Sequence, residues 1–158
     1  MNRLTPEAFK DSKKIPLVVV LDHVRSLNNV GSVFRTSDAF RVECIYLCGI
    51  TACQPHAEIH KTALGAEETV DWEYFEDTME AVDKLKQQGY TVCAVEQAEG
   101  STMLDNLLLD KNKKYAVIMG NEVKGVQQCV VDNCDMCIEN RIRSQRKRRH
   151  DGTGSRTC

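Results

Sequence analysis

Amide, glycine and arginine residues are grouped in one short segment, Asn28-Asn29-Val30-Gly31-Ser32-Val33-Phe34-Arg35-Thr36. The asparagines can donate and accept hydrogen bonds, and the arginine can bind a phosphate or a developing negative charge. The segment follows an apolar run, Ile15 to Leu21, that predicts a buried strand. A polar turn after such a strand is where α/β proteins place ligand-binding residues. Taken alone, the segment makes Arg35 either such a residue or a solvated arginine on an ordinary strand-to-helix connection.

A second polar turn, Gly120-Asn121-Glu122-Val123-Lys124-Gly125, follows another apolar run, Tyr115 to Met119. Its glycines predict a close approach of the backbone to a ligand, and its backbone amides are expected to be free donors. Glu122 is placed to accept from a ligand or to orient a neighbouring side chain. The lysine is not followed by Ser or Thr, and no Gly-x-Gly-x-x-Gly follows the first strand. A P-loop and an ordinary dinucleotide-binding fold are therefore disfavoured.

Hydrophobic periodicity predicts the elements that would position these turns. Strands are predicted at 15–21, 43–47, 70–74, 90–95, 115–119 and 136–138, and helices at 31–40, 58–64, 79–89 and 126–131. Residues 104–109 are predicted to form a short helix or a turn. Strands that alternate with helices favour an α/β fold with a mostly parallel, doubly wound sheet.

Length and composition favour one globular domain. The 158 residues are 42% hydrophobic and 28% charged, which is typical of a soluble protein. No apolar run approaches the ~20 residues that a membrane-spanning helix needs. Residues 1–14 are polar and lack a signal-peptide core. A cytoplasmic location without a membrane partner is expected.

The eight cysteines do not form the pattern of a disulfide scaffold. Cys44, Cys48 and Cys93 lie within apolar runs, where reduced cysteine packs as a small hydrophobic residue. Two metal-ligand spacings occur, in Cys134-Asp-Met-Cys137 and in the pair of histidines at 56 and 60. Neither has a second pair at a usual spacing, so core or surface roles are favoured and no metal is predicted.

Charge divides the chain near residue 140. Residues 141–158 hold seven Lys/Arg and one acidic residue, whereas residues 1–140 hold 14 basic and 22 acidic residues. Hydrophobic periodicity also stops after Ile138. The predicted organisation is a short polar segment at 1–14, a domain at 15–139 and a basic, disordered tail at 140–158.

Three segments together resemble motifs of the SpoU/TrmH family of RNA ribose methyltransferases. The first is Asn29-x-Gly31-x-x-x-Arg35-Thr36-x-Asp38-Ala39-Phe40, the next is Lys61-Thr62-Ala63-Leu64-Gly65-Ala66-Glu67, and the last is Gly120-Asn121-Glu122-x-x-Gly125-Val126. Each motif is weak alone, but the three occur in order and at natural spacing. The resemblance identifies residues 15–139 as a SpoU-type methyltransferase domain.

The resemblance implies a sheet of the SPOUT type with a C-terminal trefoil knot that binds S-adenosyl-L-methionine. It also implies methylation of a ribose 2′-hydroxyl of tRNA or rRNA by a homodimer, in which the first motif of one chain faces the cofactor of the other. By this resemblance Arg35 is catalytic and Asn29 supports it. A guanidinium is a poor base, so Arg35 is expected to bind the phosphate and the developing alkoxide. The residues that the resemblance places at the cofactor are Val95, Gly120, Asn121, Glu122 and Gly125.

The family's third motif has an Ile-Pro pair, a glycine, Ser-Leu-Asn and an apolar helix. This chain instead continues as Asn140-Arg141-Ile142-Arg143. A reading-frame change or chimeric end is favoured over a native RNA-binding tail, because a tail does not explain the loss of half the cofactor site. A tail would contribute phosphate affinity that falls with salt. The alternative function is thus a catalytically impaired relative or a non-catalytic RNA-binding protein that uses its basic tail.

Overall fold

The computed structural model describes residues 13–140 of the chain. The predicted disordered tail lies outside the described residues, apart from Asn140, and so does most of the short N-terminal segment. The frame change and the missing third motif also concern residues that the structure does not describe. The division into segments at 14 and 139 therefore stays a prediction.

Seven strands of the described chain form one sheet, and every adjacent pair runs parallel. They are β1 (Ile15–Asp22), β2 (Val42–Cys48), β3 (Trp72–Phe75), β4 (Tyr90–Val95), β5 (Thr102–Met103), β6 (Lys114–Gly120) and β7 (Met136–Glu139). Their spatial order is β3-β2-β1-β6-β4-β7-β5. Strands β1, β6 and β4 lie at the centre and read as near-continuous apolar runs, as a sheet covered on both faces requires.

Five α-helices cover the two faces of this sheet in residues 13–140. They are α1 (Leu27–Ala39), α2 (Ala57–Ala63), α3 (Ala66–Thr69), α4 (Thr78–Gln87) and α5 (Gln128–Asp132). One core packs Phe34 of α1 and Ile59 of α2 against Leu21 of β1. The opposite core packs Leu85 of α4 against Val20 of β1. The predicted α/β fold with a mostly parallel, doubly wound sheet is confirmed.

Helix α1 begins four residues before the predicted start at 31. The Ser26 hydroxyl accepts from the Asn29 backbone amide at 3.2 Å and caps the helix. Asn28 and Asn29 therefore lie in the first helical turn rather than in a preceding loop. The start was predicted too far along the chain because the polar residues of this turn interrupt the apolar pattern on which the prediction depended.

The segment around residue 104 contains a turn and a short strand. The short helix or turn predicted at 104–109 is a 3₁₀ turn, Leu104–Asn106. The short strand β5 was missed because two residues cannot show a period. Pairing with β7, in which Thr102 lies opposite Ile138, stabilises this strand.

A close contact between α1 and α2 explains the glycine at position 31. A Cβ atom added to Gly31 would overlap the Thr62 hydroxyl and lie 2.7 Å from the Ile59 carbonyl oxygen. The first sequence motif and the Lys61–Glu67 motif are thus the two sides of one helix–helix contact.

We expect Gly31→Ala to lower the free energy of unfolding by about 1–3 kcal/mol, the usual cost of overpacking. Ser32→Ala, at the next and exposed position of α1, is the matched control and should change stability by less than about 0.5 kcal/mol. Urea unfolding of both variants measures the difference. Equal midpoints for the two variants would contradict the packing role of Gly31.

Candidate active site

The two polar turns of the sequence meet at the carboxyl edge of the sheet. Strands β1 and β6 are neighbours, and Asp22 lies opposite Gly120 in register. The turn that leads into α1 and the 121–125 loop therefore leave the sheet side by side. This edge is where ligands of open α/β sheets bind.

Glu122 joins the loop to the start of α1. Its Oε2 accepts from the Arg25 backbone amide at 3.1 Å, and its Oε1 accepts from the Ser26 amide at 3.0 Å. Oε1 also accepts from the Asn29 side-chain amide at 3.2 Å. Burial raises the pKa of Glu122, but these donors outweigh it and hold the pKa below its ordinary value. Glu122 was expected either to accept a hydrogen bond from a ligand or to orient a neighbouring side chain. The structure shows the second role, because Glu122 orients the side chain of Asn29.

Asn121 shapes the loop from within. Its Nδ2 donates to the His23 carbonyl at 2.8 Å, which ties the loop to the end of β1. Its Oδ1 accepts from the Val123 and Lys124 amides at 2.9 and 3.0 Å. Two backbone hydrogen bonds between Asn121 and Gly125, at 3.0 and 2.9 Å, close the loop. Asn121 is therefore a structural centre of the turn.

The prediction that the loop offers free backbone donors was wrong. The amides of Asn121 and Gly125 bond each other's carbonyls, and those of Val123 and Lys124 bond the Asn121 side chain. The Val126 amide donates to Glu96 Oε2 at 2.9 Å. These acceptors come from a side chain within the loop and from a distant strand end, which the local sequence pattern does not reveal.

The loop glycines are required by the loop itself. A Cβ atom at Gly120 would overlap the carbonyl carbon of Gly125 and the amide nitrogen of Val126. A Cβ atom at Gly125 would overlap the Glu96 carboxylate, and Gly125 has a φ of +70°. Close contacts within the protein therefore account for both glycines, and the close approach of this backbone to a ligand stays a prediction.

Two buried carboxylates that carried no motif signal hold the segment after the loop. Asp22, at the end of β1, is fully buried, and its Oδ2 accepts from the Gln127 amide at 2.9 Å. Its Oδ1 accepts from the Gln127 side chain at 2.7 Å and from the Thr78 hydroxyl at 2.6 Å. Glu96, directly after β4, is also buried. An acidic residue directly at the end of an apolar strand was the available signal for both.

Arg35 lies on an exposed face of α1 and has no hydrogen-bond or ion-pair partner among residues 13–140. Its helix is packed against the sheet, but its side chain is not held by packing. Arg35 lines a cleft of about 520 Å³ between α1 and α2, together with Lys61 and Thr62.

Asn29, Gly120 and Glu122 line an adjoining cleft of about 580 Å³. Ser32 and Thr36 line both clefts, so the two are adjacent along α1. The half-buried Val95 ends β4, next to β6 in the sheet. The structure thus brings most predicted site residues to one edge and sets Arg35 in the neighbouring cleft.

No three His, Cys, Asp or Glu side chains in residues 13–140 lie close enough together to hold a metal ion. His60 contacts the Glu67 carboxylate, and His56 Nδ1 accepts from the Glu58 amide at 3.2 Å. Burial raises the pKa of the Cys48 and Cys134 thiols to about 12, which keeps them protonated. In the same range no helix has the length and apolar character needed to cross a bilayer.

We expect Glu122→Gln to lower the free energy of unfolding at pH 7 by about 1 kcal/mol, because charge-assisted hydrogen bonds to a solvent-exposed carboxylate are partly screened. The pKa of Glu122 is lowered in the folded protein, so its stabilisation is fully present above the pKa of the unfolded chain. That stabilisation is lost as the pH falls through the lower folded value. Urea unfolding between pH 7 and pH 3 measures it. Glu99→Gln, on an exposed loop, is the control, and equal losses in the two variants at pH 7 would contradict the role of Glu122.

Residues 16–146 match the model of the SpoU rRNA Methylase family. The 23S rRNA (guanosine-2′-O-)-methyltransferase RlmB of Pseudomonas aeruginosa is 27% identical over 129 residues. The match covers 82% of this chain and 51% of that protein. The chain thus spans about half the length of the curated relatives it matches.

Solved structures share the fold. The AdoMet-bound rRNA methyltransferase from Sinorhizobium meliloti superposes with a TM-score of 0.73 at 23% identity, covering 99% of this chain and 56% of that one. The A. aeolicus TrmH/SpoU tRNA modifying enzyme superposes with a TM-score of 0.71 at 22% identity, covering 82% and 64%.

Proposed function

This chain belongs to the SpoU rRNA Methylase family, and we propose that it transfers a methyl group from S-adenosylmethionine to a ribose 2′-hydroxyl of tRNA or rRNA. The observation that carries the proposal is the Glu122 network, which joins Asn29 of the first motif to the loop of the last motif. The names of the relatives support it, since one is a guanosine-2′-O-methyltransferase and another is an rRNA methyltransferase with AdoMet bound.

The proposed reaction is a displacement at carbon. When bound, S-adenosylmethionine supplies an electrophilic methyl group on a sulfonium. That methyl group would be transferred to the ribose oxygen, and the RNA phosphate that Arg35 would hold, or water, would take the hydroxyl proton. Holding both reactants in line contributes about 7–11 kcal/mol at best. The Arg35 guanidinium binds the RNA phosphate and stabilises the negative charge that develops on the attacking oxygen.

The residues proposed to hold the cofactor are those that the resemblance places there, namely Val95, Gly120, Asn121, Glu122 and Gly125. The loop amides already have acceptors within the protein, so the loop offers the Glu122 carboxylate instead, whose Oε2 accepts a single hydrogen bond. Acceptors and the negative charge of Glu122 suit a sulfonium cation and the amino group of an adenine. The partly buried Val95 and Met119 add apolar surface beside Gly120. The fit therefore depends on acceptors rather than on an anion-binding turn.

We also propose that the chain forms a homodimer through the cleft of about 580 Å³ beneath α1. Phe40 is 67% exposed at one end of this cleft, and Asn29 of the first motif lies at the other. A continuous apolar surface of this kind marks an interaction site. The apolar residues that line it are Ile15, Leu17, Val19, Leu21, Val24, Val33, Phe40, Val42 and Met119. The trefoil knot stays a prediction, because it concerns the chain after residue 140.

We expect Phe40→Asp to convert the dimer to a monomer without unfolding it, because the side chain is exposed within one chain. Sedimentation velocity measures the change. Leu108→Asp alters a side chain that is 93% exposed and lines neither cleft, so it should leave the dimer intact. A monomeric wild-type chain, or a dimeric Phe40→Asp variant, would contradict the proposed interface.

Arg35→Ala is expected to abolish methyl transfer while S-adenosylmethionine binding remains, because Arg35 lies outside the cofactor loop. Tritium incorporation into bulk RNA and calorimetric titration of the cofactor measure the two properties. Arg41→Ala, just beyond the same helix and outside both clefts, is the control and should keep activity.

Loss of cofactor binding in Arg35→Ala would contradict the assignment of that residue. If the wild-type chain bound RNA in a salt-dependent manner but bound no cofactor, the catalytically impaired or non-catalytic RNA-binding alternative would replace the proposal.

A further inference from the structure

A second cation shares the cleft of Arg35. Lys61, on α2, lines the same space of about 520 Å³, and no carboxylate is among its lining residues. The adjoining cleft beneath α1 contains Glu122, and a third cleft beside α2 contains Glu67 and Glu68. The Arg35 cleft therefore combines two positive charges with no lining acid, which favours a polyanionic ligand.

Both cations are available to a ligand. Arg35 has no partner among the described residues. Lys61 Nζ donates to Glu58 Oε1 at 2.6 Å, but the two side chains are 67% and 48% exposed. Exposed ion pairs of this kind contribute little to stability, so a phosphate can replace Glu58 as the partner of Lys61.

Two hydroxyl groups of the cleft, those of Ser32 and Thr62, are oriented as acceptors toward a ligand. Ser32 Oγ donates its hydrogen to the Asn28 carbonyl at 2.8 Å. Thr62 Oγ1 donates to the Ile59 carbonyl at 3.3 Å. Their oxygens keep lone pairs that can accept from a 2′-hydroxyl, the group that distinguishes RNA from DNA.

The two cations stand on helices whose separation is fixed. The contact of Gly31 with Thr62 holds α1 against α2, so Arg35 and Lys61 project from one rigid pair of helices. Ser32 and Thr36 also line the cleft that contains Asn29 and Glu122. The cationic cleft therefore adjoins the proposed methyl-transfer edge.

We propose that this cleft binds the sugar–phosphate backbone of RNA beside the methylated nucleotide, with Lys61 binding the phosphate next to the one bound by Arg35. This inference rests on the proposed function and adds a binding residue to it. Lys61 acts on RNA affinity and not on the methyl-transfer step, because Arg35 alone serves the reacting nucleotide.

The test is RNA binding by Lys61→Ala in the full chain, with bulk tRNA as the probe, between about 50 and 200 mM salt. We expect the affinity to fall several-fold at low salt and the slope of log K against log salt to decrease in magnitude by about 1. Lys61→Arg should restore both values. Lys86→Ala is the matched control, since Lys86 is an exposed lysine of α4 on the opposite face of the sheet.

A wild-type affinity and slope in Lys61→Ala would overturn the inference, and so would an equal loss in Lys86→Ala. A wild-type chain with no affinity for tRNA would also overturn it. Methyl transfer separates this result from the proposed function. If the wild-type chain methylates RNA and Lys61→Ala keeps the same KM for RNA, the inference fails alone. If the slope depends on Lys61 but no methyl group is transferred, the proposed function fails alone.

Discussion

The candidate site depends on the hydrogen bonds that the Glu122 carboxylate accepts. It supplies acceptors to the amides of Arg25 and Ser26 and to the side chain of Asn29. One side chain thereby fixes where α1 starts and how its first turn is oriented. The same contact sets the loop after β6 against the turn after β1. Without an acceptor at this position, two backbone donors would have to find water, and the two motifs would lose their mutual orientation.

Acidic residues at strand ends also make the two clefts chemically different. The Asp22 carboxylate is buried and satisfied by three neutral donors, and Glu96 takes the amide of Val126. These carboxylates accept hydrogen bonds from the backbone amides that a phosphate-binding turn would present to its ligand. The edge of the sheet at the 121–125 loop therefore carries hydrogen-bond acceptors, whereas the cleft between α1 and α2 is cationic. A positively charged cofactor and a negatively charged RNA would thus meet complementary surfaces on two sides of one helix.

Periodicity in the sequence predicted the fold well because the strands are long, apolar and bounded by polar turns. β4 was predicted with its observed limits, and the other long strands within one or two residues. The start of α1 was missed because its cap depends on Ser26 and on Glu122, which is distant in sequence. The free loop amides were a wrong prediction for the same reason, since Glu96 and the Asn121 side chain are acceptors that a local motif cannot show. Arg35 and Asn29 also line different clefts, which depends on three-dimensional contacts and not on residue types.

The hydrogen bonds that assemble the site join residues far apart in the chain. The hydrogen bonds that Glu122 accepts from Asn29, Ser26 and Arg25 connect residues separated by 93, 96 and 97 positions. The bonds that Asp22 accepts from Gln127 connect residues separated by 105 positions. A chain that emerges from the ribosome exposes α1 long before its partners exist. Until β6 inserts beside β1, the first motif has no acceptor for its leading amides. Assembly of the site is consequently a late event in folding, governed by closure of one long loop rather than by local helix formation.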